Sequence, residues 1–214
     1  MSQINSVENP IINSPYIEPQ FYWHIEDGKS PEKRAGRRLA SYFLRVPERA
    51  ARGRRAADQE TMFPEEQKGA EYLLDLANLL RQRVQEWRDR DYQGASKVTR
   101  ELIELWRDPD RTQPLFYAQL ESVETVIFLI EGPADLRMGI EVPADEPGPA
   151  AKEAGYRAFL RYALKMATGS GKTTVMGMLS AWSILNKVTN PQAPEFSDTV
   201  LIICPNITIR DRLQ

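Results

Sequence analysis

Residues 166–173 read M-A-T-G-S-G-K-T and open a long helical pattern. The glycines at positions 169 and 171 let the backbone turn so that successive N–H groups point inward, with no Cβ in the way of an anion. The helix predicted over Lys172–Val188 directs the positive end of its dipole toward the same point. The G-K-T ending is that of a phosphate-binding P-loop, although Met166 stands where the strict motif has its first glycine. We therefore predict that this loop binds nucleotide phosphates, since an ordinary capped turn would need only one glycine.

Within a P-loop, each side chain has its own task. Lys172 would reach the β- and γ-phosphates, the Thr173 hydroxyl would ligate Mg²⁺, and Thr174 would hydrogen-bond the α-phosphate. The candidate nucleotide-binding residues are Thr168, Gly169, Ser170, Gly171, Lys172, Thr173 and Thr174, with Thr173 as the candidate metal ligand. Cys204 is the single cysteine, which excludes an internal disulfide and a thiolate cluster for zinc or iron–sulfur binding.

The sequence around the loop predicts one βαβ unit. Arg161–Met166 is a short candidate strand, Ala167–Gly171 is the turn, and Thr199–Cys204 is a second strand after the helix. The second strand is a continuous run of β-branched and aliphatic residues without alternation. Such a run is typical of a strand covered on both faces, as in a parallel sheet.

Three helices are predicted ahead of this unit, over Glu71–Arg90, Lys97–Trp106 and Ala118–Ile130. The first is the clearest, because its apolar residues recur at spacings of three and four. Proline at position 109 ends the second. Residues 132–155 contain four glycines and four prolines and predict a linker or surface loop.

These patterns divide the chain into four predicted regions. Residues 1–60 are an extended, basic leader region, residues 61–131 are helical, residues 132–155 are the linker, and residues 156–214 begin an α/β domain around the P-loop.

Charge is unevenly placed along the 214 residues. The net charge is −2, yet the window from Glu32 to Arg55 holds nine basic residues against two acidic ones and is +7. This basic arm, with Arg37 and Arg38 as candidate contacts, predicts either binding to DNA phosphates or a solvated, charge-rich loop. No apolar run approaches the ~20 residues of a membrane span, and the first twenty residues carry no basic cluster followed by an apolar stretch, as a secretory signal would. We therefore predict a cytoplasmic protein without a membrane segment.

Four segments resemble a known family. The stretch M-A-T-G-S-G-K-T resembles motif I of superfamily 2 helicases. The run V-L-I-I-C-P-N-I-T-I-R-D-R-L at residues 200–213 is similar to the ATPase and translocase part of the Res subunits of type III restriction enzymes. I-N-S-P-Y-I-E-P at 12–19 and G-R-R-L-A-S-Y-F-L-R-V-P at 36–47 look like a subgroup of these restriction proteins.

The resemblance implies an ATP-dependent DNA helicase or translocase with ATP and Mg²⁺ as cofactors. The partners it implies are DNA and a modification or specificity subunit. It implies an α/β fold in which a helical N-terminal region precedes the first βαβ unit of an incomplete RecA-like parallel sheet. In that fold the strands before and after the P-loop helix are not neighbours, because later strands lie between them.

The resemblance also assigns residues outside the loop. Pro205, Asn206 and Thr208 fall where motif Ia contacts the nucleic-acid backbone. Gln119 resembles the glutamine that reads the adenine edge, and the alternative for it is a solvent-facing helix residue.

The acidic D-E box of the family, which holds Mg²⁺ and polarises water, has no counterpart after the loop. Asp145-Glu146 precedes the loop and does not fit that role. We therefore expect the N-terminal part of a larger enzyme, with no complete catalytic set and no ATP hydrolysis by this chain alone. The alternative function is a DNA- or partner-binding helical module with a vestigial, non-hydrolysing phosphate loop.

Overall fold

Helices dominate the structure, a computed structural model that describes residues 7, 9–26, 29–45, 69–142 and 144–203. In these ranges the helices are α1 (Asp75–Asp89), α2 (Lys97–Arg107), α3 (Tyr117–Glu131), α4 (Ala134–Arg137), α5 (Pro149–Glu153) and α6 (Lys172–Thr189). The strands are β1 (Phe21–His24), β2 (Glu32–Ala35), β3 (Ser41–Arg45), β4 (Gly69–Leu73), β5 (Ala144–Asp145) and β6 (Phe159–Leu160).

The long helices lie where apolar periodicity predicts them. α2 begins because the Ser96 hydroxyl accepts a hydrogen bond from the Thr99 N–H at 3.0 Å, which satisfies one of the free donors of the first turn. α3 and α6 agree with their predicted ranges to within one residue at each end. α1 starts at Asp75 rather than Glu71, because residues 69–73 pair with β3 as strand β4. The ranges of the long helices are therefore confirmed, except that residues 71–74 are not helical.

One apolar core joins α1, α2, α3 and α6. Its largest buried side chains include Trp87 on α1, Ile103 on α2 and Phe128 on α3. α6 contributes Trp182, whose ring meets that of Phe196 edge-on at 5.4 Å. Since α6 packs on both α2 and α3, the helix that follows the candidate phosphate loop is fixed to the helical part of the chain.

A buried carboxylate lies within this core and links three of its helices. Glu124 on α3 is 1% exposed, and it accepts hydrogen bonds from Arg88 Nε at 2.7 Å and Arg107 Nε at 2.6 Å. The Tyr92 hydroxyl donates to the same carboxylate at 3.0 Å. A buried charge is tolerated only when it is paired and hydrogen-bonded, so these contacts let α3 carry an acid at its centre. We call Arg88, Tyr92, Arg107 and Glu124 the Glu124 cluster.

Tyr92 gives the Glu124 cluster a predicted pH dependence. Burial, helped by the Glu124 carboxylate, raises the pKa of Tyr92. A raised pKa in the folded state means that the contribution of the neutral phenol to stability is complete below the unfolded value of about 10 and is lost as pH rises through the folded pKa. Near neutral pH, Tyr92→Phe should lower the free energy of unfolding by about 1 kcal/mol.

That cost should stay constant up to about pH 9 and shrink as pH rises from about 9 to 11, because the phenol of the unfolded chain begins to ionise there while the folded one stays neutral. Urea unfolding followed by circular dichroism measures it. The exposed Tyr156 offers the matched control, because Tyr156→Phe removes a hydroxyl that does not contact the cluster. A difference between wild type and Tyr92→Phe that stayed constant over this range would contradict the prediction.

The strands form three antiparallel pairs, namely β1 with β2, β3 with β4, and β5 with β6. The predicted strand Arg161–Met166 is wrong, because the strand here is β6, which ends at Leu160. Its partner is β5, in the region predicted to be a linker, and a short antiparallel pair can form there without a crossover helix.

The predicted parallel sheet is not present in the ranges that the structure describes. Residues 199–203 form no strand there, and Leu201 and Ile203 are each 83% exposed rather than covered on both faces. The physical reason is that neither this segment nor residues 161–166 has a backbone ladder with another strand of the described ranges, and an extended run becomes a strand only when such a partner is present. Cys204, the predicted end of this strand, lies outside the described residues. The described fold is thus mixed, with helices and small antiparallel sheets.

The predicted linker at 132–155 is more ordered than its composition suggests. It contains α4, β5 and α5, and Leu136 on α4 is 1% exposed within the core. Helix α4 also packs on α1. Among the described residues, no helix is long and apolar enough to span a membrane.

Candidate nucleotide site

The glycine loop ends directly on α6. Gly169 and Gly171 both have φ of +81°, in the left-handed region that favours glycine. Gly171 is the N-cap residue just before α6, and its carbonyl accepts the Val175 N–H at 3.2 Å. The free N–H groups of the first turn of an eighteen-residue helix therefore face the loop.

Lys172 lies over its own loop. Its Nζ donates to the carbonyl oxygens of Ala167 at 2.8 Å and Met166 at 3.2 Å. The Ser170 hydroxyl also donates to the Ala167 carbonyl, at 2.7 Å. Because Lys172 and Thr173 are exposed, the ammonium can exchange these carbonyls for phosphate oxygens by rotation of its side chain.

Gln119 lies against this loop. Its Oε1 accepts the Phe116 N–H at 2.7 Å, which fixes the side chain across the first turn of α3. Its amide nitrogen lies so close to Gly171 that a Cβ on this glycine would collide with it. The side chain is 6% exposed, so the solvent-facing alternative for Gln119 is wrong. The structure brings Gln119 and the predicted P-loop together although 51 positions separate Gln119 from Ser170.

A cleft of about 450 Å³ opens beside the loop. Its walls come from three segments: the leader, the start of α3 and the loop. They are Asn13, Ser14, Pro15, Ile17 and Pro19, then Phe116, Tyr117, Ala118 and Glu121, and then Thr168, Gly169 and Ser170. Arg37 closes one side, where it forms a two-pronged ion pair with Glu121, with Nη2 at 2.6 Å from Oε2. Glu18 lies 3.4 Å from Arg37 Nη1. We call this space the leader cleft.

Buried polar side chains hold α6 in its orientation. Glu131 Oε1 accepts hydrogen bonds from Trp182 Nε1 and Thr99 Oγ1, both at 2.7 Å. Glu131 Oε2 accepts the Ser96 N–H at 2.6 Å, and Asn186 Nδ2 donates to Thr99 Oγ1 at 3.0 Å. These contacts tie α2 and α3 to the helix that carries the loop. None of these contacts is predicted from the sequence, where their only signal is a polar residue at a core position of an amphipathic helix.

The structure supplies few acidic ligands for Mg²⁺. Across the described ranges, no three His, Cys, Asp or Glu side chains converge into a metal site. Asp145 and Glu146 form ion pairs with Arg161 at 2.9 Å and Lys152 at 3.0 Å. Thr173 fits Mg²⁺ only as one hydroxyl ligand beside phosphate oxygens and water, which is the usual way that Mg²⁺ enters with a nucleotide.

The carboxy-terminal part of the chain matches a known family. Residues 112–214 match the family model described as type III restriction enzyme, res subunit. Over these residues the chain is similar to the Res subunits of type III restriction enzymes. The match confirms the resemblance drawn from the sequence. No similar curated protein and no similar solved structure was found.

The Res-family match divides the candidate site. Gln119, α3 and the whole glycine loop lie inside residues 112–214, whereas the leader and Arg37 lie before them. One wall of the leader cleft therefore comes from the region that matches the Res family. The other wall comes from the leader and Arg37, which lie outside that match.

The residues predicted to contact DNA lie apart from one another. Arg37 is in the leader cleft, while Arg38 points elsewhere, is largely exposed, and donates to Glu71 Oε1 at 3.0 Å. Pro205, Asn206 and Thr208 lie outside the described residues. Contact of these five residues with DNA stays a prediction.

Proposed function

We propose that this chain is the ATP-binding part of a DNA helicase or translocase of a restriction system. The Res-family region supports a helicase-like restriction subunit. The observation that carries the finer proposal is the placement of Gln119 against Gly171, at a loop whose lysine lies free to turn toward a ligand. A glutamine, a left-handed glycine and an exposed lysine at one helix N-terminus suit the binding of a nucleotide.

In this proposal, loop residues Thr168, Ser170 and Lys172 hold the phosphates. Lys172 exchanges the Met166 and Ala167 carbonyls for phosphate oxygens, and Thr173 offers its hydroxyl to the Mg²⁺ that accompanies ATP. Thr174 adds a hydrogen bond to the α-phosphate. Gln119 hydrogen-bonds the base through its amide, in the role that its position beside the loop supports.

DNA and a modification or specificity subunit are the proposed partners, in the cytoplasm. Pro205, Asn206 and Thr208 would contact the DNA backbone, and Arg38 would add a cation. The exposed run 200–203 is an unpaired edge among the described residues, and in a RecA-like sheet it would pair with another strand of the same domain.

Replacing Lys172 tests the proposal. Lys172→Ala removes the only loop ammonium of residues 166–174, and it should weaken binding of MgATP at least about tenfold, because charge-assisted hydrogen bonds contribute about 1.5–3 kcal/mol. Calorimetric titration of both proteins gives the two dissociation constants.

Lys97→Ala is the matched control, because Lys97 is 90% exposed on α2, in a helix that does not carry the loop. Equal affinity of wild type and Lys172→Ala for MgATP would sink the nucleotide assignment. That outcome would favour the alternative of a DNA- or partner-binding helical module.

A further inference from the structure

Specific contacts hold the leader wall of the cleft in place. The Pro15 carbonyl accepts the Tyr117 N–H at 2.8 Å, and the Tyr16 ring lies 5.5 Å from the Phe116 ring. Asn13 Oδ1 accepts the N–H groups of Gln20 and Phe21, at 2.9 and 3.0 Å. The leader is thus held at one end by α3 and at the other by its own turn into β1.

The chemistry of the cleft suits an uncharged, flat group. Pro15, Ile17 and Phe116 supply apolar walls, as in most small-molecule sites. The guanidinium of Arg37 is matched by Glu121 and Glu18, so the described residues that line the cleft offer no unpaired cation for an anion. Burial lowers the pKa of Arg37, but the Glu121 carboxylate outweighs this effect and the net shift is upward, so the ion pair stays charged.

The cleft also lies where the rest of a nucleotide would extend. Residues 168–170 form its edge, so a ligand whose phosphates lie on the loop has this cavity next to it. Its volume of about 450 Å³ falls within the range of small-molecule sites, about 300–1,000 Å³.

We propose that leader residues 13–19, together with Arg37, form the wall of the nucleotide site that holds the base and sugar. Arg37 is a positioning residue, because its ion pair with Glu121 fixes the side of the cleft that faces the leader. This inference rests on the proposed function. It places Arg37 in the nucleotide site instead of the DNA-binding arm, and it makes the leader and the Res-family region two halves of one site.

Two substitutions test this wall against two probes, MgATP and magnesium tripolyphosphate, in calorimetric titrations. Ile17→Trp places a large ring at a half-exposed position of the cleft, where folding should tolerate it, and Arg37→Gln removes the ion pair. Each should weaken MgATP at least about fivefold, and leave tripolyphosphate within about twofold, because the probe without base or sugar does not enter the cleft.

The controls are close in sequence and outside the cleft. Ile11→Trp adds the same ring at a leader position that is 78% exposed, and Arg34→Gln removes a nearby arginine that also has a carboxylate partner, Glu32 at 2.8 Å. Both should leave the affinities for MgATP and tripolyphosphate within about twofold of wild type. Lys172→Ala should weaken both probes.

The outcomes separate the two proposals. If Lys172→Ala weakened both probes while Ile17→Trp weakened neither, or weakened both equally, the leader wall would be refuted and the phosphate loop would stand. If Lys172→Ala left both affinities unchanged, the proposed function would fail and this inference with it.

Discussion

Glu124→Ala should lower the free energy of unfolding by about 3–5 kcal/mol, because removal of one partner of a buried ion pair leaves the other charge uncompensated. Arg88 and Arg107 both donate to this carboxylate, and the Arg88 side chain is only 10% exposed. Without Glu124, the Arg88 guanidinium cannot reach water without opening the contact between α1 and α3. Urea unfolding monitored by circular dichroism measures the loss.

Two further variants identify the cause of that loss. Glu101→Ala is the surface control, because Glu101 is 63% exposed and pairs with Lys97 at 3.7 Å, so its removal should cost about 0–1 kcal/mol. The double variant Arg88→Met/Glu124→Leu should be more stable than Glu124→Ala, because it leaves no buried guanidinium unpaired at position 88. A Glu124→Ala protein as stable as Glu101→Ala would show that the Glu124 cluster does not hold these helices together.

The helices of this fold could be predicted from sequence because their information is local. The apolar spacing in α1 and α3 reports which face is buried, and Ser96 marks the start of α2. The start of α1 was predicted four residues too early, because residues 69–73 pair with β3 across a long sequence separation. Tertiary pairing overrides helical periodicity there.

The loop could be predicted for a similar reason, because glycine adopts the left-handed backbone conformation that positions 169 and 171 have. Gln119 could be assigned to the site only through a family resemblance, and its burial came from the structure. Arg37 was predicted to face DNA because a basic window in sequence does not reveal its partners. Its carboxylate partner, Glu121, lies 84 positions away.

The strands could not be predicted because strand pairing is not local. Residues 161–166 carry apolar side chains, yet the pairing occurs one step earlier, at Phe159–Leu160 with β5. A run such as 199–203 specifies that a segment can be extended, but not which backbone will pair with it. The Glu124 cluster could not be predicted for the same reason, because its members come from three helices and a turn.

Gly171→Ala should lower the free energy of unfolding by about 2–5 kcal/mol. An alanine backbone in the left-handed region contributes about 1–2 kcal/mol of this loss, and a steric conflict contributes about 1–3 kcal/mol. The conflict is specific, because the new Cβ would meet the Gln119 amide nitrogen. This side chain is buried and its Oε1 accepts the Phe116 N–H, so moving it away would leave a part-buried donor unsatisfied. Gly169 provides the matched control, since it has the same φ of +81° but no atom within 4 Å of an added Cβ. Gly169→Ala should therefore cost only the strain, about 1–2 kcal/mol.

Shortening Gln119 isolates the contact between α3 and the loop. In the Gly171→Ala background, Gln119→Ala should recover most of the steric part, whereas in the Gly169→Ala background it should recover nothing. Urea unfolding is measured for wild type, for the three single variants and for the two double variants that combine Gln119→Ala with each glycine substitution. These values give the coupling free energy between position 119 and each glycine. Equal costs for Gly171→Ala and Gly169→Ala, with no coupling to position 119, would show that Gln119 does not lie against the loop. Coupling confined to Gly171 would establish that α3 and the loop are held together by this contact.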